Sequence, residues 1–183
     1  MEKIKLNELL TKDLRGKVVV FPTDTVYGIG ALYDDLDSIK RIYEIKGRSF
    51  EKPLALLIPS NDISNFVSEI NDSAKEYIDM WPGALTIIFK RSDKVDPSLV
   101  MGKDTIALRN PDSFVSLTIL KHFGAMAVTS INRSGEKELN NIADIEKEFG
   151  EKIDYLVIDE EQFSSHPSKI IDASGSEIKV IRS

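Results

Sequence analysis

The sequence has no cysteine, and this absence excludes several kinds of chemistry. Disulfides, thiolate catalysis and cysteine-based zinc sites all require that side chain. Long hydrophobic runs are also missing, because a run such as residues 18–21 is far shorter than the ~20 residues that a membrane helix needs. The first residues contain neither an apolar core nor a cleavage site of the signal-peptide type. We therefore expect a cytoplasmic protein that does not associate with a membrane.

Histidine is scarce, and several well-known catalytic motifs are absent. The two histidines, His122 and His166, lack the paired spacing of a metal-binding helix. Gly28 and Gly30 begin like a dinucleotide fingerprint, but Tyr33 stands where the third glycine belongs. The sequence contains no phosphate-binding loop of the form G-x-x-x-x-G-K-[ST] and no G-x-S-x-G nucleophile elbow. These absences argue against hydrolysis by a serine, cysteine or zinc site, and we predict no metal held by the protein alone.

The charge is unevenly distributed along the 183 residues. The formal net charge is −6, whereas a broad duplex-binding surface is typical of a basic domain. Residues 38–53 run against this average, with five cations and two glutamates. A local cationic cluster on an acidic protein indicates a site for a small anion. A solvated, charged helix end explains the same pattern equally well.

Apolar segments alternate with helix-like segments from end to end, which predicts one α/β domain spanning residues 1–183. Strands are predicted at residues 18–21, 54–58, 85–89, 105–108, 126–129, 155–158, 170–172 and 178–181. Helices are predicted from a cap at Asp35 or Asp37 to Ile45, and at residues 62–69, 72–80, 113–122 and 142–149. The short turn at residues 173–176 favours an antiparallel pair, so a mixed sheet is expected.

The first polar segment follows the first of these strands. Pro22 ends the strand and places Thr23, Asp24 and Thr25 at its carboxyl end. Ligands of open α/β sheets bind outside the carboxyl ends of strands. The alternative is a turn in which these side chains satisfy the backbone amides.

Two further segments carry polar side chains suited to anions. Lys46 falls in the last turn of a predicted helix, Gly47 reverses the chain, and Arg48 and Lys52 follow on the loop. A lysine point charge beside an arginine fork suits a carboxylate or a polyphosphate, although the cations also complement the helix dipole. Residues 129–135 follow a strand and are rich in small polar side chains, which suit phosphate or ribose oxygens as well as an ordinary surface loop.

Taken together, these segments resemble the YrdC-like family, whose enzymatic members are threonylcarbamoyl-AMP synthases. The resemblance covers nearly the whole chain and depends on the order and spacing of its motifs. These are PTDTVYG at 22–28, IYEIKGRSFEKPL at 42–54, WPGALT at 81–86, TIALRNP at 105–111, SINRSG at 130–135 and HPSKIID at 166–172.

The resemblance implies a single twisted sheet of parallel and antiparallel strands with flanking helices and a deep, positively charged cavity. It implies L-threonine, bicarbonate and ATP as substrates, threonylcarbamoyl-AMP and pyrophosphate as products, and Mg2+ arriving with ATP. Delivery to tRNA is expected either directly or through a downstream transfer complex. Matched by motif, the catalytic residues are Lys46, Arg48, Ser130 and Asn132. The substrate-binding set is Thr25, Arg48, Thr105, Arg109, Ser130, Ser168 and Arg182, to which Lys52 is added from its place on the Arg48 loop.

Two positions depart from the family pattern. Ile131 stands where alanine is usual, and Lys169 stands where a threonine usually follows Ser168. The main alternative is a YrdC-like protein that binds RNA or a nucleotide without chemistry. A carbamoyl transfer from carbamoyl phosphate, as in hydrogenase maturation, is disfavoured because the chain lacks cysteine-rich zinc segments.

Overall fold

The β-branched segments of the sequence become the strands of one mixed sheet. A computed structural model describes residues 1–159, 161, 164 and 166–183. In that part of the chain the strands are β1 Glu2–Ile4, β2 Val19–Pro22, β3 Tyr27–Leu32, β4 Ala55–Leu57, β5 Leu85–Lys90, β6 Thr105–Arg109, β7 Met126–Ser130, β8 Tyr155–Val157, β9 Lys169–Asp172 and β10 Lys179–Arg182. The helices are α1 Leu6–Leu9, α2 Leu36–Lys46, α3 Asp72–Ile78, α4 Phe114–Phe123 and α5 Ile142–Phe149, with a 3-10 turn at Pro97–Val100.

The strand order within the described residues is β1-β8-β2-β3-β7-β4-β6-β5-β9-β10. The sheet contains both parallel pairs, such as β4 with β6, and antiparallel pairs, such as β3 with β7. The single-domain α/β fold with a mixed sheet is thus confirmed, and so is the antiparallel pairing of β9 with β10. The sheet brings together segments that are far apart in the sequence, because β2, β4, β6 and β9 are all strands of this one sheet.

Helix ends follow the capping residues that the sequence provides. The Asp35 carboxylate accepts a hydrogen bond from the Ser38 amide and begins α2, and Gly47 ends this helix with φ at 60°. Asn71 caps α3 in the same way as Asp35 caps α2. Because Gly47 reverses the direction of the chain immediately after Lys46, the loop that follows runs back beside the last turn of α2.

The predicted strand after Val18 continues into a hairpin that the sequence analysis missed. Residues 27–32 form β3, which pairs with β2 on one side and with β7 on the other. A Cβ atom on Gly28 or Gly30 would lie 2.8 Å from a methyl carbon of Val128. These glycines therefore give β7 room to approach, rather than forming a dinucleotide-binding loop.

The predicted helix at residues 62–69 is wrong. This stretch forms turns, and its one extended contact is an isolated bridge between Val67 and Arg91. The Asp62 carboxylate accepts hydrogen bonds from both the backbone amide and the hydroxyl of Ser64. Such local side-chain bonds compete with helix formation, which explains the difference.

Two buried apolar clusters lie among the described residues, on either side of the sheet. One includes Ile42 and Tyr43 of α2, and the other includes Ile119 and Leu120 of α4. Helices on both sides therefore cover the sheet through apolar contacts. No helix in the described ranges has both the length and the apolar character to cross a bilayer.

Candidate active site

A cavity of about 310 Å³ lies over one face of the sheet, because its lining takes alternate residues of neighbouring strands, such as Ala107 and Arg109 of β6. This volume lies at the lower end of the range for ligand pockets. Its described lining contains three arginines, Arg48, Arg109 and Arg182, and no carboxylate side chain. Threonine and serine hydroxyls stand between the arginines, and apolar residues such as Ile88 and Val128 complete the wall. The cavity is thus suited to an anion with an apolar portion.

Arg109 is held at the end of β6 by partners from two other segments. Its guanidinium donates hydrogen bonds to the Thr25 hydroxyl at 3.0 Å and to the Gly83 carbonyl at 3.1 Å. It also forms an ion pair with Asp24, and both side chains are largely buried. The carboxylate fixes the orientation of Arg109 and offsets its charge, so Arg48 and Arg182 supply the excess positive charge of the cavity.

The turn that carries Asp24 and Thr25 also satisfies its own backbone. The Thr23 hydroxyl donates to the Val26 carbonyl at 2.7 Å and accepts from the amides of Thr25 and Val26. Both interpretations of this segment therefore apply together. Thr23 stabilises the turn, which presents Asp24 and Thr25 to Arg109.

Lys46 lies behind the cavity wall and is 3% exposed. Its ammonium donates to the carbonyl oxygens of Ser130 and Asn132 and, at 2.7 Å, to the Asn132 side-chain oxygen. An ammonium has three N–H donors, so all of them are used within the protein. The pKa of Lys46 is lowered from 10.5 to about 8, first by burial and then by the charge of Arg48, while Glu138 opposes the change.

Asn132 and Ser130 complete this cluster. The Asn132 side-chain oxygen also accepts from the Ser130 hydroxyl at 2.8 Å, and its amide nitrogen donates to the carbonyls of Arg133 and Glu136. The Ser134 amide donates to the Lys46 carbonyl. Ser130 lines the cavity, whereas Lys46 and Asn132 do not appear in its described lining. Lys46 and Asn132 therefore shape the loop that presents Ser130.

Arg182 and Ser168 form the opposite wall. Arg182 donates from its Nε to the Ser168 carbonyl at 2.8 Å, and a terminal nitrogen lies 3.3 Å from the Ser168 hydroxyl. That hydroxyl is also 2.8 Å from the hydroxyl of Thr86. Burial lowers the pKa of Arg182, with the charge of Glu138 opposing and that of Arg109 adding to the effect. The guanidinium of Arg182 still carries its charge at neutral pH.

A bulge in β10 places Arg182 in the cavity. Val180 pairs with Ile171 and Arg182 pairs with Ile170, so β10 has one residue more than β9 over this stretch. Side chains of neighbouring residues in a regular strand point to opposite faces. Here both Ile181 and Arg182 line the cavity, because the extra residue changes the direction of the strand.

The sequence-predicted residues divide into three groups by position. Arg48, Thr25, Arg109, Ser130, Ser168 and Arg182 line the cavity. Lys46 and Asn132 lie directly behind Ser130. Lys52 has an exposed side chain and Thr105 begins β6 at the end away from Arg109, and neither lies in the described lining.

The two departures from the family pattern also have defined positions. Ile131 is buried in the core and does not line the cavity. Lys169 is exposed on β9, and as a lysine it lacks the hydroxyl that the family pattern places after Ser168. Sequence reasoning did not single out Thr86, although it lies within the WPGALT motif at the beginning of a predicted strand.

Comparison with known proteins identifies the family to which this arrangement belongs. A model of the Sua5/YciO/YrdC family, described as "Telomere recombination", matches residues 14–183. A putative threonylcarbamoyl-AMP synthase of Methanocaldococcus jannaschii is 37% identical over 99% of this chain, which covers 86% of that protein. The Pyrococcus abyssi Sua5 structure complexed with L-threonine superposes with a TM-score of 0.89 and 30% identity. The superposition covers 99% of this chain and 55% of the Pyrococcus chain. The chain therefore belongs to the Sua5/YciO/YrdC family.

Proposed function

We propose that this protein is a threonylcarbamoyl-AMP synthase, which uses L-threonine, bicarbonate and ATP to form threonylcarbamoyl-AMP and pyrophosphate. The observation that carries the proposal is a cavity with three arginines, several hydroxyls and no lining carboxylate within the described residues. The carboxylate of threonine and the phosphates of ATP are both anionic, and a cavity of this kind suits such groups. The names of the curated relatives and the bound threonine of the Pyrococcus structure support the same reaction.

The reaction needs two chemical steps. Bicarbonate loses hydroxide to give CO2, and the neutral amine of threonine adds to its carbon. A C–N bond forms as one C–O π bond opens, and the proton released from nitrogen combines with the hydroxide as water, which leaves a carbamate. A carbamate oxygen then attacks the α-phosphorus of ATP, and the bond to the bridging oxygen breaks to release pyrophosphate. Neither step requires a covalent protein nucleophile. Positioning and charge stabilisation supply most of the catalysis in such transfers.

The lining residues have separate roles in this mechanism. Arg48, on the loop after α2, stabilises carboxylate, carbamate and phosphate charge. Thr25 holds the amino acid beside Arg109, and Ser130 with Arg182 holds the nucleotide on the opposite walls. Lys46 and Asn132 keep Ser130 in place, because their polar atoms are bonded to each other and to neighbouring backbone.

Mg2+ enters with ATP in this proposal. Asp24 is a carboxylate that contacts a lining arginine, and its ion pair with Arg109 already balances its charge. Magnesium bound to nucleotides commonly keeps several waters and takes few protein ligands. The ion would neutralise phosphate charge that the arginines do not reach.

The product suits transfer to tRNA, either by this protein or by a downstream transfer complex. An activated carbonyl attached to AMP has a good leaving group, and a nucleophilic nitrogen of a nucleoside is a suitable acceptor. We place the reaction in the cytoplasm, where ATP and tRNA are both available.

The test is pyrophosphate release that depends on threonine, bicarbonate and ATP together. Arg48→Ala is expected to lower kcat by about a hundredfold, as the loss of one donor to developing charge commonly does. Arg15→Ala is the matched control, because Arg15 pairs with Asp34 on the exposed surface. An Arg48→Ala enzyme within about threefold of wild type, roughly 0.65 kcal/mol, contradicts the role of Arg48. Salt-sensitive RNA binding without pyrophosphate release would instead favour a non-catalytic binding protein.

A further inference from the structure

The loop that carries Arg48 contributes to two cavities. We use "Arg48 loop" for residues 47–54. Arg48, Pro53 and Leu54 line the substrate cavity. Phe50 lines a second cavity of about 310 Å³, together with residues of α2, of the 3-10 turn and of the segment just after that turn. Because the Arg48 loop borders open space on both sides, core packing alone does not fix its position.

The guanidinium of Arg48 is bonded to its own loop. Its Nε donates to the Lys52 carbonyl at 3.0 Å, and a terminal nitrogen lies 3.4 Å from the Pro53 carbonyl. The Tyr43 hydroxyl donates to the same Lys52 carbonyl at 3.1 Å. Tyr43 belongs to α2 and is 1% exposed, so it is a fixed point for the far end of the loop.

Phe50 provides a second attachment to the same tyrosine. The rings of Phe50 and Tyr43 are stacked, with centroids 4.7 Å apart and planes inclined by 20°. Phe50 is 48% exposed, which is unusual for a phenylalanine whose only role is to fill a core. Burial raises the pKa of Tyr43 and the Arg48 charge opposes this rise, in keeping with the closeness of the two side chains.

We propose that Tyr43 and Phe50 are positioning residues for Arg48. The Tyr43 hydroxyl fixes the carbonyl to which Arg48 is bonded, and the Phe50 ring clamps the middle of the Arg48 loop onto the buried tyrosine. Together they keep the guanidinium at the cavity wall before substrate arrives. The catalytic part of this inference depends on the proposed function, whereas the structural part does not.

The two contacts set how often Arg48 is in place. If the loop is correctly placed for a fraction of the time, the apparent affinity for substrate equals the intrinsic affinity multiplied by that fraction. Saturating substrate recovers the ordered loop, so kcat is preserved. An aromatic pair of this kind shifts such an equilibrium by roughly two- to tenfold. The expected signature is therefore a higher KM at nearly constant kcat, unlike the loss of kcat from Arg48→Ala.

The test compares Phe50→Ala with Phe50→Tyr and with Phe114→Ala. Phe50→Ala is expected to raise KM by about two- to fivefold with kcat within about twofold, because only the ordered fraction of the loop changes. Phe50→Tyr keeps the stack and should restore wild-type KM. Phe114 is an exposed phenylalanine at the start of α4, so Phe114→Ala controls for the loss of a surface ring. Tyr43→Phe removes the hydroxyl alone and should raise KM about twofold.

Amide hydrogen exchange tests the structural part without any turnover. The Lys52 amide donates to the Ser49 carbonyl within the Arg48 loop. Phe50→Ala should speed its exchange about fivefold, as loosening of a local unit does, and Phe114→Ala should not change it. Unchanged exchange and unchanged KM in Phe50→Ala would each overturn the positioning role. If the wild-type protein releases no pyrophosphate, the proposed function fails and the exchange result alone decides the role of Phe50.

Discussion

Lys46 gives the protein a pH-dependent stability that can be calculated from its environment. The ammonium is buried, and its pKa falls from 10.5 to about 8 on folding. Between these two values the unfolded chain binds more protons than the folded protein. The free energy of unfolding therefore rises with pH across this window, as the folded state exchanges a buried cation for a neutral amine.

The size of the effect follows from the two pKa values. Integration from pH 7 to pH 10 gives about 2.5 kcal/mol of added stability from Lys46, and further gain is small above the unfolded pKa. Lys46 is 3% exposed, so solvent screening requires little reduction of this figure. Its three oxygen acceptors favour the charged form and reduce the gain, which makes about 2.5 kcal/mol an upper value.

The assay is urea denaturation of wild type and Lys46→Met at pH 7, 8, 9 and 10. Other lysines and tyrosines titrate in the same range, so the quantity to follow is the difference between the two proteins. This difference should increase with pH in favour of wild type. Lys40→Met is the control, because Lys40 lies on the same helix with an exposed side chain paired to Asp37. Its difference from wild type should stay within about 0.5 kcal/mol at every pH.

A difference between wild type and Lys46→Met that is flat from pH 7 to pH 10 would refute this reasoning. It would mean that three hydrogen-bond acceptors compensate fully for burial of the charge. A difference that decreases with pH would mean that the net effect of the site is to raise the pKa of Lys46.

Two other substitutions test contacts on which the cavity depends. Gly30→Ala should destabilise the protein by about 1–3 kcal/mol in urea, because the new Cβ would lie 2.8 Å from Val128 and 3.1 Å from the Ala127 carbonyl. Combining it with Val128→Ala should give a smaller loss than the sum of the two, and strict additivity would contradict the steric explanation. Asp24→Asn should cost about 3 kcal/mol, since it leaves the charge of Arg109 buried without its counterion. Thermal unfolding within about 1 °C of wild type would contradict that estimate.

The parts of the fold that the sequence predicted depend on local signals. Asp35 and Gly47 bound α2 as expected, because capping depends on a few adjacent residues. β3 was missed because Gly28 and Gly30 are poor strand formers. Glycine is required at these positions by the close approach of Val128, which lies about 100 residues away in the sequence. The helix at residues 62–69 was predicted wrongly, because the apolar residues have helical spacing. The prediction did not consider the turn that Asp62 and Ser64 form.

The candidate site was predictable in its members and less so in their roles. Motif resemblance identified Arg48, Ser130 and Arg109, which all line the cavity. It did not indicate that all three N–H donors of the Lys46 ammonium bond to protein oxygens, because those bonds depend on burial and on the loop folded against Lys46. The pairing of Arg109 with Asp24 joins residues 85 positions apart, and no local pattern encodes such a contact.

The strand that carries Arg182 has one neighbour in the described sheet, since β10 pairs with β9 alone. An edge strand of this kind frays at lower free energy than the central strands, without unfolding of the rest. Each fraying event would carry a guanidinium out of the cavity. An anion held by Arg182 in turn resists the fraying, so occupancy of the cavity and order of this last strand rise and fall together.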